Sequence, residues 1–237
     1  MAKEVVVKAD KIKKRKRKSR VVKLSLLILL LLLTILYLIL RIIYNEGRFT
    51  ISLDSNDKLK SGLAIFESLN NSQGKRKLEA SPIKFMDNIS YKTIPKDIDT
   101  EADGPHNGKN YIAYSFYAEN QGKETIDYWY EIVIDDVIKN VDEAVRIRIY
   151  RNGESITYAK KKSNADEPEE GTTPFRDDID SKDNIIVFEQ IHDFKPNDLD
   201  RYTIVIWLEG DDPDCTNDII GGELKMHMKF TEEHVRN

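Results

Sequence analysis

Residues 24–40 read LSLLILLLLLTILYLIL, and only Ser25, Thr34 and Tyr37 carry polar side chains. The hydroxyls of Ser25 and Thr34 can bond back to helix carbonyls, so they cost little in a helix. Extended to Tyr44, the stretch has 21 residues. At about 1.5 Å per residue it spans about 31 Å, enough to cross a hydrocarbon layer. The pattern predicts a transmembrane helix over 24–44, with Arg41 snorkelling to the interface and Tyr44 as an interfacial aromatic. A cleavable signal has a shorter core, about 7–15 apolar residues, followed by small residues. Here the exit reads Arg41-Ile42-Ile43-Tyr44-Asn45-Glu46-Gly47-Arg48, with no small-residue site before Gly47. The segment reads as a retained anchor.

Past the anchor the period changes from helix to strand. Residues 45–60 read as a stalk and first strand, in which Phe49-Thr50-Ile51-Ser52-Leu53 alternates apolar and polar. Residues 61–237 read as one domain. Gly62–Leu69 fits a strand or a short helix, Asn70–Lys77 a polar loop, and Ser81–Tyr91 a strand. Tyr111–Asn120 (YIAYSFYAEN) is rich in aromatic and β-branched residues, and Gln121-Gly122-Lys123 makes a turn into a return strand, IDYWYEIVID. There Ile126, Tyr128, Tyr130, Ile132 and Ile134 share an apolar face; Asp127, Trp129, Glu131, Val133 and Asp135 share the other. Val145–Tyr150 and Ile156–Ala159 flank Asn152-Gly153, suited to a type I′ hairpin turn. Asp142-Glu143-Ala144 suggests one helical turn before them. Residues 160–184 are charged, hold Pro168, Gly171 and Pro174, and read as a mobile loop. Ile185–Gln190, Tyr202–Glu209 and Glu223–Phe230 complete the strands. Tyr202–Glu209 is apolar on both faces and belongs mid-sheet. Many short strands with no sustained helical period predict an all-β fold after the helix: an antiparallel β-sandwich, jelly-roll or immunoglobulin-like.

Charge divides the chain again. Of its 237 residues, the first 44 hold twelve Lys or Arg against Glu4 and Asp10, a net +10; the remainder holds 25 basic and 39 acidic residues, a net −14. Lys13, Lys14, Arg15, Lys16, Arg17, Lys18 and Arg20 lie directly before the apolar run, in a basic tail over 1–23. That placement makes them a topology signal touching anionic lipid, not a nucleic-acid patch. It predicts a single-pass protein with a cytoplasmic N-terminus and an extracellular C-terminal domain. Cys215 is the single cysteine, so no intrachain disulfide forms.

Candidate chemistry is sparse. The segment IWLEGDDPDC crowds Glu209, Asp211, Asp212 and Asp214 into one loop, hard oxygen ligands that calcium takes. Asp211, Asp212 and Asp214 are the candidate calcium ligands, although their spacing departs from the D-x-[DN]-x-[DN]-G loop. The competing reading is a turn built by Gly210, Pro213 and aspartate capping. No histidine stands beside Cys215 to make it a nucleophile. On a strand His227 faces away from Met226 and Met228, which excludes a convergent soft-metal site. HExxH, GxSxG, Walker, CxxC and GxGxxG patterns are absent from the sequence, which leans against an enzyme. Trp129 stands on the polar side of its strand, so it is the aromatic available for carbohydrate or protein contact unless a loop packs over it.

SGLAIFESLN (61–70), LEASPIKF (78–85) and YTIVIWLEGDDPDC with IIGGELKMHMKF (within 202–230) resemble uncharacterised exported proteins of low-GC Gram-positive bacteria. In layout the chain resembles, more distantly, the camelysin/TasA group: an N-terminal export segment and then a β-sandwich. That resemblance implies cell-surface or matrix residence, and assembly in which one subunit's N-terminal strand completes the next; Phe49–Leu53 is the matching segment. The chain lacks the group's cleavage site and shows no zinc motif onto which a peptidase activity maps. The expectation is a surface protein for adhesion, envelope organisation or matrix assembly, with the lipid bilayer, cell-wall polymer, other surface proteins or further copies as partners. The alternatives are a membrane-tethered hydrolase of peptide or glycan, and an accessory or sensor subunit of a membrane complex.

Overall fold

A computed structural model describes residues 2–43, 49–54, 62–83, 85–176 and 184–234. The chain divides into two units, Met1–Glu46 and Gly47–Asn237. The first is a helix over Ala2–Ile43. Its segment Arg15–Ile39 is long and apolar enough to cross a membrane, and none of it is buried within the chain. The Ser25 hydroxyl donates to the Val22 carbonyl at 2.9 Å and that of Thr34 to the Leu30 carbonyl at 2.8 Å, so both polar groups are satisfied internally. The helix continues through the basic run. Tyr44 lies outside the described residues.

The second unit is a β-sandwich. Its strands are β1 (Thr50–Asp54), β2 (Leu63–Phe66), β3 (Lys77–Glu79), β4 (Gly104–Pro105), β5 (Tyr111–Asn120), β6 (Ile126–Ile138), β7 (Val145–Arg151), β8 (Glu154–Ala159), β9 (Thr173–Pro174), β10 (Asn184–Phe194), β11 (Leu199–Leu208) and β12 (Glu223–His234). Among the described residues, one sheet runs β10-β6-β12-β1-β3; the other runs β2-β5-β11-β7-β8-β9, with β4 also on β5. Most pairs are antiparallel. Two are parallel, β1 with β12 and β8 with β9, so each sheet is mixed.

Period-two alternation builds the layer between the sheets. Ile126, Tyr128, Tyr130, Ile132 and Ile134 of β6 are all buried, as their shared face requires. They meet Tyr114 and Phe116 of β5, Ile147 of β7 and Tyr202 and Ile204 of β11. Phe230 of β12 packs edge-on against Phe116 and Tyr202, with ring centres 5.7 and 5.4 Å away. The hydroxyls of Tyr128 and Tyr202 meet at 2.7 Å across the layer, and Asp200 accepts from Tyr128. Burial raises both tyrosines above their ordinary pKa, and the Asp200 carboxylate raises them further.

Two sequence expectations change. The Gln121-Gly122-Lys123 turn does not fold β6 back onto β5; β6 crosses to the opposite sheet. Asn120 fixes that corner, fully buried. Its amide donates to the carbonyls of Glu124 and Phe194 at 2.8 Å each, and its Oδ1 accepts from Gly122 N–H at 2.9 Å. A Cβ on Gly122 would stand 3.0 Å from both that oxygen and the Gly62 Cα. Among the described residues of 81–91 there is no strand, only a bridge from Ile89 to Glu209. This stretch leads into a cover: Ile89, Ile94 and Ile98 pack with Tyr150, Val205 and Trp207 on the outer side of the β11 sheet. That cover explains why β11 is apolar on both faces. The Asn152-Gly153 turn closes β7 and β8 with φ of 53° and 89°, positive at both positions as a type I′ turn demands. The helical turn falls at Val141–Glu143.

The charged segment after β8 is tied down where it is described. β9 pairs with β8, Phe175 N–H donates to the Ala159 carbonyl at 2.9 Å, and Arg176 N–H reaches the Ile186 carbonyl at 3.2 Å. Residues 177–183 of that segment lie outside the described residues.

Candidate functional site

The acid-rich loop follows β11 directly. Glu209 is buried and structural: its carboxylate accepts from the Trp207 indole at 3.0 Å and from the Tyr91 N–H at 3.1 Å. Asp211 turns away to accept from the Ser90 hydroxyl at 2.9 Å. Asp212 and Asp214 come together with Glu169, their ligand oxygens within 4.8 Å of one another. A cation already faces this trio. Arg146 of β7, 4% exposed, donates from a guanidinium nitrogen to Asp212, and Glu169 stands 3.9 Å from the same nitrogen. Asp214 accepts from the Ser163 hydroxyl at 2.6 Å. Burial first, and the Asp212 carboxylate second, push the Glu169 carboxyl above its ordinary pKa. Chemically this is a buried ion pair with two more carboxylates at its rim. It clamps the segment holding Ser163 and Glu169 onto the β11–β7 sheet. The three carboxylates are also the donor set a hard cation would use.

The second region is the outer face of β6, β10 and β12. Trp129 is half-buried and lies flat on Phe188 of β10, with ring centres 4.6 Å apart and planes 12° from parallel. The Arg176 guanidinium covers Phe188 at 5.1 Å. The Trp129 indole N–H donates to Glu233 at 2.8 Å, and the Gln190 amide donates to the same oxygen at 3.1 Å. His192 meets Asp127 at 2.8 Å, and the Asp193 N–H donates to the other Asp127 oxygen at 2.9 Å. Burial raises the Asp127 carboxyl, but the His192 and Asp193 hydrogen bonds outweigh it and leave it below the usual range. The result is an oriented aromatic pair beside a polar chain running Glu233, Gln190, Asp127, His192. The stacking partner of Trp129 is a side chain of the neighbouring strand β10, whereas Trp207 packs against Ile94 and Ile98. Such a surface offers ring stacking next to fixed donors and acceptors, which suits a sugar ring or a flat side chain.

Of the three aspartates singled out in the sequence, the structure brings Asp212 and Asp214 together and separates Asp211. Trp129 lies half-buried on the outer face of the β6 sheet, stacked on Phe188. Of the topology residues, Arg15, Lys16, Arg17, Lys18 and Arg20 are exposed on the helix; the side chains of Lys13 and Lys14 lie outside the described residues. Sequence reasoning missed Arg146 and Glu169. A signal for Arg146 exists: in VRIRIY a charge falls at an outward position of a strand whose neighbours are apolar, so it needs a buried partner. Phe188 was hidden by the irregularity that shifts the β10 register between Ile185 and Val187.

No family model and no curated protein matches the chain. Among solved structures, the β-glucosidase of Kluyveromyces marxianus in complex with glucose is similar over 70% of this chain and 15% of its own length. The identity is 13% and the TM-score 0.23, too low to carry an argument about fold or activity.

Proposed function

We propose that this chain is a single-pass membrane protein that holds its N-terminus in the cytoplasm and displays the sandwich outside the cell. There it binds envelope polymer or neighbouring surface proteins through the Trp129–Phe188 face. The observation that supports this most is the inequality of the two outer faces. The β11 sheet is roofed by residues 89–98, whereas on the β6 sheet the aromatic stack pairs an exposed Phe188, flanked by Arg176, with a half-buried Trp129. The exposed apolar helix supplies the membrane side of the reading, because lipid is the solvent that satisfies it.

The test combines location with retention. Protease added to intact cells is expected to remove the sandwich and leave a membrane-held fragment; a protected sandwich sinks the outward topology. The full chain in detergent is expected to pellet with purified cell-wall material, and Trp129→Ala with Phe188→Ala to abolish that pelleting. Equal retention of wild type and double variant removes this face from the function.

A further inference from the structure

Ile147 and Ile149 of β7 point into the layer between the sheets, so Arg146 and Arg148 alternate with them onto the outer face. Arg148 is half-buried there. Directly opposite on β8 stands Thr157, whose hydroxyl oxygen accepts from the Arg148 Nε–H at 2.8 Å. The guanidinium lies over the Trp207 ring, its central carbon 5.3 Å from the ring centre. That ring is fixed: Trp207 is 1% exposed, and its indole N–H donates to Glu209 at 3.0 Å. Arg148 is therefore held by its neighbours before any ligand arrives. The side-chain freedom that an arginine gives up on binding is already lost on folding.

Neither contact uses the two terminal nitrogens. The other arginines of β7 and β11 each meet a carboxylate: Arg146 that of Asp212, Arg151 that of Asp200 at 2.9 Å, and Arg201 that of Asp103 at 2.7 Å. Among the described residues Arg148 meets none, although residues 45–237 hold 39 acidic residues against 25 basic ones. Asp212 and Glu169 flank Arg146 instead. Thr157 adds a donor. Its oxygen accepts from Arg148, which leaves its own hydrogen to give. Covering Trp207 accounts for the place of the guanidinium but not for its unengaged fork. An edge made of donors alone fits an oxyanion, whose two oxygens accept from the fork in one plane.

We propose that Arg148 and Thr157 form a binding site for an oxyanion, a ligand carboxylate or phosphate. Both terminal nitrogens of Arg148 donate to it, and the Thr157 hydroxyl is the third donor. The site lies on the β11 sheet and not on the sheet that carries Trp129, so it stands apart from the function proposed for that face. One fork and one hydroxyl at a half-exposed position give a dissociation constant on the order of 1 mM.

The test follows the arginine Nε–H resonances of the full chain in detergent, with isotope-labelled arginine, at mildly acidic pH. Arg148→Lys identifies the Arg148 signal by its loss. Sodium acetate and sodium phosphate are each titrated against sodium chloride at matched ionic strength. The Arg148 resonance is expected to move saturably with acetate, phosphate or both, and not with chloride. The resonances of Arg146, Arg151 and Arg201, already paired, are expected to stay. The anion that saturates at lower concentration assigns the group as carboxylate or phosphate. Thr157→Val is expected to raise the half-saturating concentration about 10-fold, and Thr157→Ser, which keeps the hydroxyl, to preserve it. Unchanged signals from the three paired arginines show that these variants keep the fold. An Arg148 signal that ignores both anions, or moves no more than the paired arginines do, overturns the site. Equal affinity in the valine and serine variants removes Thr157 and overturns the site as built.

Discussion

At single side chains, Arg146 decides what the acid loop does. Its partner Asp212 is 6% exposed, so Arg146→Ala leaves a buried carboxylate without its counter-charge. Removing one member of such a pair costs about 3–5 kcal/mol. Calorimetry is expected to show that loss, and added calcium is expected to restore part of it in the variant, because Glu169, Asp212 and Asp214 then lack a cation. The wild-type melting point is expected to ignore both calcium and chelator; a shift there gives the loop a metal despite the guanidinium. Glu169 makes a second expectation. Its carboxyl is raised, so it favours the fold below the ordinary value of 4.5 and loses that contribution as pH rises through the raised one. Glu169→Gln removes the titration. The variant is therefore expected to melt close to wild type near pH 4.5 and higher than wild type at about pH 7. The reverse order contradicts the geometry around Asp212.

Single strands show why some elements were legible and others were not. β6 and β11 were readable because their neighbours impose a clean rule: one face buried for β6, two for β11. β7 and β8 were readable because Asn152-Gly153 tolerates positive φ at both turn positions. The β5–β6 connection misled because a turn after a strand looks alike whether the chain returns to its own sheet or crosses. What decides is Asn120, a buried amide with three partners, and nothing local announces it. Ser81–Tyr91 misled in another way: its apolar residues serve a cover and an exposed crossing, and periodicity does not register either. β1 sits between these cases. Its alternation was visible, its parallel partner was not. Phe49–Leu53, the segment the camelysin/TasA likeness assigns to a neighbouring subunit, pairs here within its own chain on β12 and β3. Ile51 is fully buried. Ile51→Ala is expected to cost about 2–5 kcal/mol by denaturant unfolding; a cost under about 1 kcal/mol shows that the sandwich closes without this strand.

For the whole molecule, the sequence divides charge more sharply than it divides fold. A net +10 over residues 1–44, which include the apolar span, precedes a net −14 over the rest. Translocation reads the positive side near a span and weighs acids little, so on the proposed topology the lysines and arginines of 13–20 are expected to set direction. Length and hydropathy of the helix are untouched by those side chains. Replacing Lys13, Lys14, Arg15, Lys16, Arg17, Lys18 and Arg20 with glutamine is therefore expected to leave the protein in the membrane fraction. Part of the population is expected to invert, since Lys11 and Lys23 remain on the same side and Arg41 stands on the other. Protease shaving of intact cells measures this directly as a fraction of sandwich that becomes protected. If the variant stays fully accessible, direction is set by the folded domain and not by the basic run. If it leaves the membrane fraction altogether, the run anchors by charge, and the apolar span alone does not hold the chain.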